Sequence, residues 1–322
     1  MSRIESNLQA VRAAIASVCR TYARDVDSVQ LVAVSKTFGP DAVRQAYEAG
    51  QRAFGENYVQ EAVEKIEASG AWLAAQRAAA GIEPASTRPA QVTPPRAAAG
   101  IEPASARPAQ VAPPRAAAGI EPASARPAQV APPRAAAGIE PASTRHSCGV
   151  ASPQAGPLLQ PPEWHFIGPI QSNKTRLIAQ HFDWVHSIDR LKVAERLSEQ
   201  RLAAQLPPLQ VCVQVNVSGE ASKSGVAPEQ TRALADAVAR LPGLRLRGLM
   251  CIPEPSRDAA QQRRPFAQLR ELLGQLNDAG LLLDTLSMGM SADLEAAIAE
   301  GATIVRVGTA IFGERTKRSD TQ

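Results

Sequence analysis

Apolar positions along this chain follow two rhythms that alternate, and the alternation predicts the fold. At the N-terminus Ile4, Leu8, Val11, Ile15 and Val18 recur every three or four positions, the spacing of an amphipathic helix over residues 4–22. The next run, 29–36, is apolar, rich in β-branched residues and bounded by Asp27-Ser28 and Gly39-Pro40, so it reads as a strand covered on both faces, the kind found in parallel sheets. Residues 40–50 carry proline at a helix start and glycine at its end. A short strand at 52–55 and another helix through Ile66 complete two strand–helix units.

The rhythm then stops. From Arg77 the sequence repeats itself, with Gly-Ile-Glu-Pro-Ala-Ser beginning at Gly81, Gly100, Gly119 and Gly138, a period of 19 residues. A period near twenty raises a solenoid. Each unit, however, has several prolines and only isolated Ile and Val as sizeable apolar groups, too few to offset the entropy of ordering it. No aromatic residue lies between Trp72 and Trp164, and 17 of the 26 prolines fall within 70–162. That segment is expected to be a disordered or polyproline-like tandem-repeat insertion.

Strand–helix alternation resumes at Glu163. Strands are predicted at 163–168, 182–188, 209–217, 244–250, 282–287 and 303–307, with helices ending at Ala179 and spanning 190–204, 228–240, 263–277 and 292–300. Without 70–162 the chain has 229 residues, a normal length for an eightfold β/α barrel. The expectation is one α/β domain, a (β/α)8 TIM barrel formed by 1–69 and 163–315, with a flexible tail at 316–322. An open doubly wound sheet is the alternative.

Charge narrows the function classes. The net charge of +4 arises in the repeat, where 70–162 holds eight arginines and four acids; the remainder has 27 bases and 27 acids. No dense basic stripe suits a phosphate backbone, so nucleic acid is not an expected partner. Cys19, Cys148, Cys212 and Cys251 are far apart, and His146, His165, His181 and His186 form no metal-ligand spacing, with His181 placed in a loop and His186 in a strand. No metal is expected. The segment Met1 to Ser6 lacks the apolar core of a signal peptide and no run is long enough to span a bilayer, so no membrane association and a cytoplasmic location are expected.

Candidate chemistry follows from the barrel, where reactive residues sit at strand ends and βα loops. Lys36 terminates the first strand. Desolvation of a lysine favours its neutral, nucleophilic form, as imine-forming lysines require; the plain alternative is a strand-end lysine reaching into solvent. Other strand ends present Asn57, His165, Asn216, Met250, the run Ser287-Met288-Gly289-Met290-Ser291, and Arg306 followed by Gly308 and Thr309. Glycines and hydroxyls in the last two loops suit a phosphate, which such barrels often bind there. A lysine and a phosphate cradle together point to pyridoxal 5'-phosphate held as a Schiff base.

The stretches Ala33-Val34-Ser35-Lys36, Phe54-Gly55-Glu56-Asn57-Tyr58, Trp164 through Lys174, Leu286 through Ser291 and Val305 through Gly313 closely resemble the pyridoxal phosphate homeostasis protein family. The likeness covers 1–69 and 163–315. It implies a barrel of the alanine racemase N-terminal type, with Lys36 forming the imine, Asn57 beside the cofactor, Ser287, Ser291, Gly308 and Thr309 on its phosphate and Arg306 at the pyridine nitrogen. His165, Met250 and Met288 complete the candidate cofactor site, with loop bracing as the other reading of Asn57 and His165. A fixed guanidinium beside the ring nitrogen disfavours its protonation and weakens the ring as an electron sink.

The expected function is therefore binding and handing over pyridoxal phosphate in vitamin B6 homeostasis, without strong catalysis, by a monomer or weak dimer whose recipients are apo enzymes that use the cofactor. The alternatives are a pyridoxal phosphate-dependent amino-acid racemase and a barrel without cofactor. The repeat falls in an αβ connection, on the barrel face opposite the site. Deleting residues 75–158 should leave cofactor affinity unchanged, because a long loop there adds little closure entropy; a substantial loss on titration would show that the repeat helps form the site.

Overall fold

Helix α1 (Arg3–Thr21) begins at a capping box: the Ser2 hydroxyl accepts from the Glu5 N–H at 3.1 Å while the Glu5 carboxylate accepts from the Ser2 N–H at 3.2 Å. It buries Ile4, Leu8, Val11, Ile15 and Cys19 against the barrel wall. Residues 2–82, 160–219, 224–256 and 258–314 are described here, in a computed structural model. Of the insertion expected at 70–162, residues 83–159 lie outside the described residues, as does the expected tail at 316–322, whereas 70–79 are helical and not part of a disordered segment.

Eight parallel strands close into a barrel in chain order: β1 (Gln30–Val34), β2 (Ala53–Glu56), β3 (Glu163–Phe166), β4 (Trp184–Ile188), β5 (Leu209–Gln214), β6 (Leu244–Met250), β7 (Thr285–Ser287) and β8 (Ile304–Val307). The outer layer comprises α2 (Pro40–Glu48), α3 (Val59–Ala79), α4 (Thr175–His181), α5 (Leu191–Ala203), α6 (Pro228–Ala239), α7 (Ala259–Asp278) and α8 (Leu294–Ala299), and a short α9 (Thr309–Phe312) follows β8. The β/α barrel predicted from the alternation is the fold observed, and the open sheet is excluded because β1 pairs with β8. Outward strand residues and inward helix faces share the main core, whereas Val32, Ala53, Trp184, Cys212, Met250 and Ile304 form a separate layer inside the barrel.

Several boundaries differ from the pattern. Helix α3 does not stop near Ile66 but runs to Ala79, burying Ser69 and Leu73 and setting the Trp72 ring edge-on to Tyr47 at 4.6 Å. Its final turns, rich in alanine, are strong helix formers, and Gly70 costs only about 1 kcal/mol there. The Tyr47 hydroxyl donates to the Gln160 carbonyl at 2.6 Å, tying the chain's return toward β3 to α2. Strand β7 is shorter than expected because Asn277 claims the backbone of Leu283 with two hydrogen bonds, at 2.8 and 2.9 Å, and Leu282 is exposed. His181 ends α4 rather than lying in a loop. Helix α7 starts earlier than expected, at Ala259, because Asp258 caps it through the Gln261 N–H at 2.9 Å.

Candidate functional site

At the carboxyl ends of the strands lies a cavity of about 280 Å³. Lys36 from the end of β1, Asn57 after β2, Ser291 after β7, and Arg306, Gly308 and Thr309 from β8 and α9 all line it, with Phe38, Ile167, Ile252 and Met290 among the apolar walls. These six polar or glycine positions, scattered over most of the sequence, meet because the strand ends form a ring.

Lys36 is held through the peptides on either side of it. The Ser35 carbonyl accepts from the Lys65 ammonium at 2.7 Å and from the Phe38 N–H at 3.1 Å, and the Thr37 N–H donates to Glu61 at 2.5 Å. Thr37 itself has φ of 70°, an uncommon conformation for a β-branched residue. Lys65 is almost wholly buried and also binds Glu56 at 2.7 Å and Glu61 at 2.5 Å; Glu56 in turn accepts from the Ser35 hydroxyl at 2.6 Å. Burial pushes the Glu56 carboxyl above the usual range, against the pull of Lys65 and Ser35. Glu56, Glu61 and Lys65 were not singled out from sequence. The i,i+4 spacing of Glu61 and Lys65 on one helix face, just after a strand ending in Glu56, was the available signal.

The wall opposite is built by close backbone contacts. A Cβ on Gly168 would lie 2.4 Å from the Asn57 carbonyl oxygen, so only glycine lets the loop after β3 press Asn57 into place. One on Gly308 would lie 3.1 Å from the Val34 carbonyl oxygen, which lets α9 begin beside the end of β1. The Asn57 Oδ1 is buried without a hydrogen-bond partner.

Four residues assigned to the cofactor site from sequence, Ser287, Met288, Met250 and His165, do not line the cavity, nor does the strand-end Asn216. Ser287 is fully buried inside the barrel, where its hydroxyl oxygen lies 2.6 Å from an Arg306 guanidinium nitrogen and 2.7 Å from His186 Nδ1. Met288 packs in the core between sheet and helices, since adjacent strand-end residues point to opposite faces. Met250 lies in the inner layer. His165 is buried within the barrel, with Nδ1 2.9 Å from His186 Nε2 and Nε2 3.1 Å from Glu163.

Arg306 is fully buried and makes hydrogen bonds to Ser287 and to the Cys251 carbonyl at 3.0 Å; among the described residues it forms no salt bridge. Burial lowers its pKa and drives the Cys212 and Cys251 thiols up to about 12. Burial, with the nearby Arg306 guanidinium and with His165 whenever that ring is protonated, holds His186 well below the usual imidazole range. For Glu163 burial pushes upward, but hydrogen bonds from His165, Trp184 and Gln30, with the charge His165 carries when protonated, outweigh it and bring the carboxyl down to about 2. No group of metal-ligating side chains occurs among the described residues.

Residues 6–316 match the family described as alanine racemase, N-terminal domain, which defines the barrel's class. Pyridoxal phosphate homeostasis proteins of Pseudomonas aeruginosa and of Escherichia coli K12 are 46% and 38% identical to this chain; each alignment covers 98% of it, and 97% and 98% of the respective relatives. The chain belongs to the pyridoxal phosphate homeostasis protein family. A solved structure of PipY from Synechococcus elongatus PCC7942 with PLP bound has 29% identity and a TM-score of 0.61, covering 96% of this chain and 100% of that one.

Two outcomes test the site's construction. Lys65→Met strands the buried Glu56 carboxylate and releases the Ser35 carbonyl, so it should cost about 3–5 kcal/mol in denaturant unfolding, with Glu56→Gln in the same chain recovering much of the loss; a loss under about 1 kcal/mol would rule out the clamp. Glu163, with a folded-state pKa of about 2 against an ordinary 4.5, stabilises the fold above its unfolded value and ceases to as pH falls toward 2. The gap in urea midpoint between wild type and Glu163→Gln should therefore be widest near neutral pH and shrink through the acid range. An equal gap throughout would contradict the assignment.

Proposed function

We propose that this protein binds pyridoxal 5'-phosphate in the cavity at the strand ends, carries it covalently on Lys36 and passes it to apo enzymes. The observation that bears this reading is the meeting, in one cavity, of a lysine held by both flanking peptides with a buried guanidinium and two turns bearing glycine and hydroxyl groups. Bound pyridoxal phosphate supplies an aldehyde that a lysine amine captures and a ring that withdraws electrons.

The residues fit that group. Asn57 offers a buried oxygen lacking a donor, suited to a ring hydroxyl. Arg306 has guanidinium N–H groups beyond those bound to Ser287 and Cys251, suited to an unprotonated ring nitrogen. Ser291, Gly308 and Thr309 line the cavity in the loops after β7 and β8, the loops that often bind a phosphate in such barrels. Ser287 serves Arg306 in this reading instead of the phosphate, and His165, Met250 and Met288 support the walls.

Weak catalysis follows from the same lining. A racemase needs a base on each face of the bound amino acid, and among the described lining residues Lys36 is the only side chain of a type that commonly serves as one, Arg306 being permanently protonated. The guanidinium of Arg306 further discourages protonation of the ring nitrogen. Free, buried Cys19, Cys212 and Cys251 suit a reducing cytoplasm, and no described helix is long and apolar enough to cross a membrane.

Purified protein mixed with pyridoxal phosphate should absorb in the visible, and borohydride reduction should leave a mass adduct on the peptide containing Lys36. Lys36→Ala should lose both signals. An adduct mapped elsewhere would overturn the attachment, and sustained racemisation of a common amino acid by the loaded protein would overturn the carrier role.

A further inference from the structure

Beneath the cavity, polar side chains run down the barrel interior in a single file. From top to bottom they are Arg306, Ser287, His186, His165 and Glu163, linked at 2.6, 2.7, 2.9 and 3.1 Å, and all but Glu163 are buried. Four strands contribute: β8, β7, β4 and β3. The file ends at the first residue of β3, where Glu163 also accepts from Gln30 and from the Trp184 indole, each at 2.8 Å. The Trp184 ring stacks on His165 at 5.5 Å and shields it from solvent.

The two ends of this file are chemically one-way. A guanidinium only donates, and an ionised carboxylate only accepts. Starting from Glu163, His165 must donate from Nε2, which leaves Nδ1 of a neutral imidazole as an acceptor. His186 must then donate from Nε2 and accept at Nδ1. The single Ser287 proton therefore goes to His186, and its oxygen accepts from Arg306. Burial and the nearby Arg306 guanidinium hold His186 well below the usual imidazole range; His165 is neutral in this arrangement, since a proton on its Nδ1 would make it a donor to His186 Nε2 and reverse the file.

We propose that this file is a directed hydrogen-bond chain that fixes the Nε2–H tautomer in both His165 and His186 and makes Ser287 and His186 positioning residues for Arg306. Its purpose follows from the placement of charge. Arg306 is a buried cation without a salt bridge among the described residues, and the chain links it through three neutral groups to the anion of Glu163 at the far end of the barrel. A carboxylate bound directly to Arg306 would occupy two N–H groups and cancel the charge beside the cavity. The relayed arrangement steadies the guanidinium while leaving N–H groups and positive charge directed at the ligand. The assignment of tautomers stands on geometry alone; the role toward the ligand rests on the cofactor reading above.

Long-range proton–nitrogen NMR correlations on the ¹⁵N-labelled apo protein at neutral pH should show a protonated Nε2 and a bare Nδ1 for both His165 and His186. An Nδ1–H tautomer or a doubly protonated ring at either position would overturn the chain. Glu163→Gln replaces the one-way acceptor with an amide that can also donate, so a second tautomer should appear at His186, two links away. Its persistence as pure Nε2–H would show that Glu163 does not set the direction. Ser287→Ala should weaken pyridoxal phosphate capture about tenfold by leaving a buried donor unmatched, with Ser287→Thr restoring most of it; unchanged affinity in the alanine variant would overturn the positioning role. Wild-type protein that shows both Nε2–H tautomers but captures no pyridoxal phosphate would refute the cofactor reading and support the chain.

Discussion

Closure of the sheet between β1 and β8 is the constraint on which the site depends. Gln30, Leu31, Val32 and Ala33 pair in register with Ile304, Val305, Arg306 and Val307. That register sets Arg306 beside Val32 of β1, four residues before Lys36, so that Arg306 and Lys36 line one cavity although 269 residues lie between them in sequence. Slipping by one residue would turn Arg306 out of the barrel and an apolar neighbour in. The backbone contact between Gly308 and Val34 shows how tightly the junction is made: a single methyl group at Gly308 would crowd the carbonyl that precedes Ser35.

Two buried cations near this junction are accommodated in opposite ways. Lys65 sits among carboxylates, and its direct pairing with Glu56 and Glu61 converts a charged side chain into a brace for the peptides around Lys36. Breaking such a pair is costly because it leaves one charge alone in a low-dielectric setting. Arg306 instead meets a hydroxyl and a carbonyl, so its positive field persists at the cavity. Direct pairing gives rigidity at one wall, and withheld pairing gives polarity at the other. An interior that carries two histidines, a serine and an arginine between apolar layers is explained by this division of roles more readily than by stability alone.

The alternation of strands and helices was legible because each strand is bounded by turn residues and each helix shows its own apolar stripe. Lys36, Asn57, Ser291, Arg306, Gly308 and Thr309 could be picked out as strand-end residues of suitable chemistry, and the structure brings those six to one cavity. Ser287 and Ser291 illustrate the limit of that reasoning. Both are serines of one loop region, yet Ser287 is still within β7 and points inward, whereas Ser291 lies beyond the turn at Gly289, whose φ of 94° redirects the chain. Met288 and Met250 were likewise assigned by proximity in sequence, and strand alternation and depth in the barrel place them elsewhere. The extension of α3 and the shortening of β7 depended on Trp72 finding Tyr47 and on Asn277 reaching Leu283, contacts that local pattern does not encode.

By itself, then, the sequence determined the number and order of elements, the interruption by a proline-rich repeat and the lysine at the tip of the first strand, since hydrophobic period and turn chemistry are local properties. Tertiary structure alone decided which polar groups face the cavity and which face one another. Pairing Lys65 with Glu56, or joining Arg306 to Glu163 through Ser287 and two histidines, requires strands distant in the chain to adopt a definite register. Register is settled by packing of the whole barrel, where moving one strand by one residue exchanges every inward side chain for an outward one.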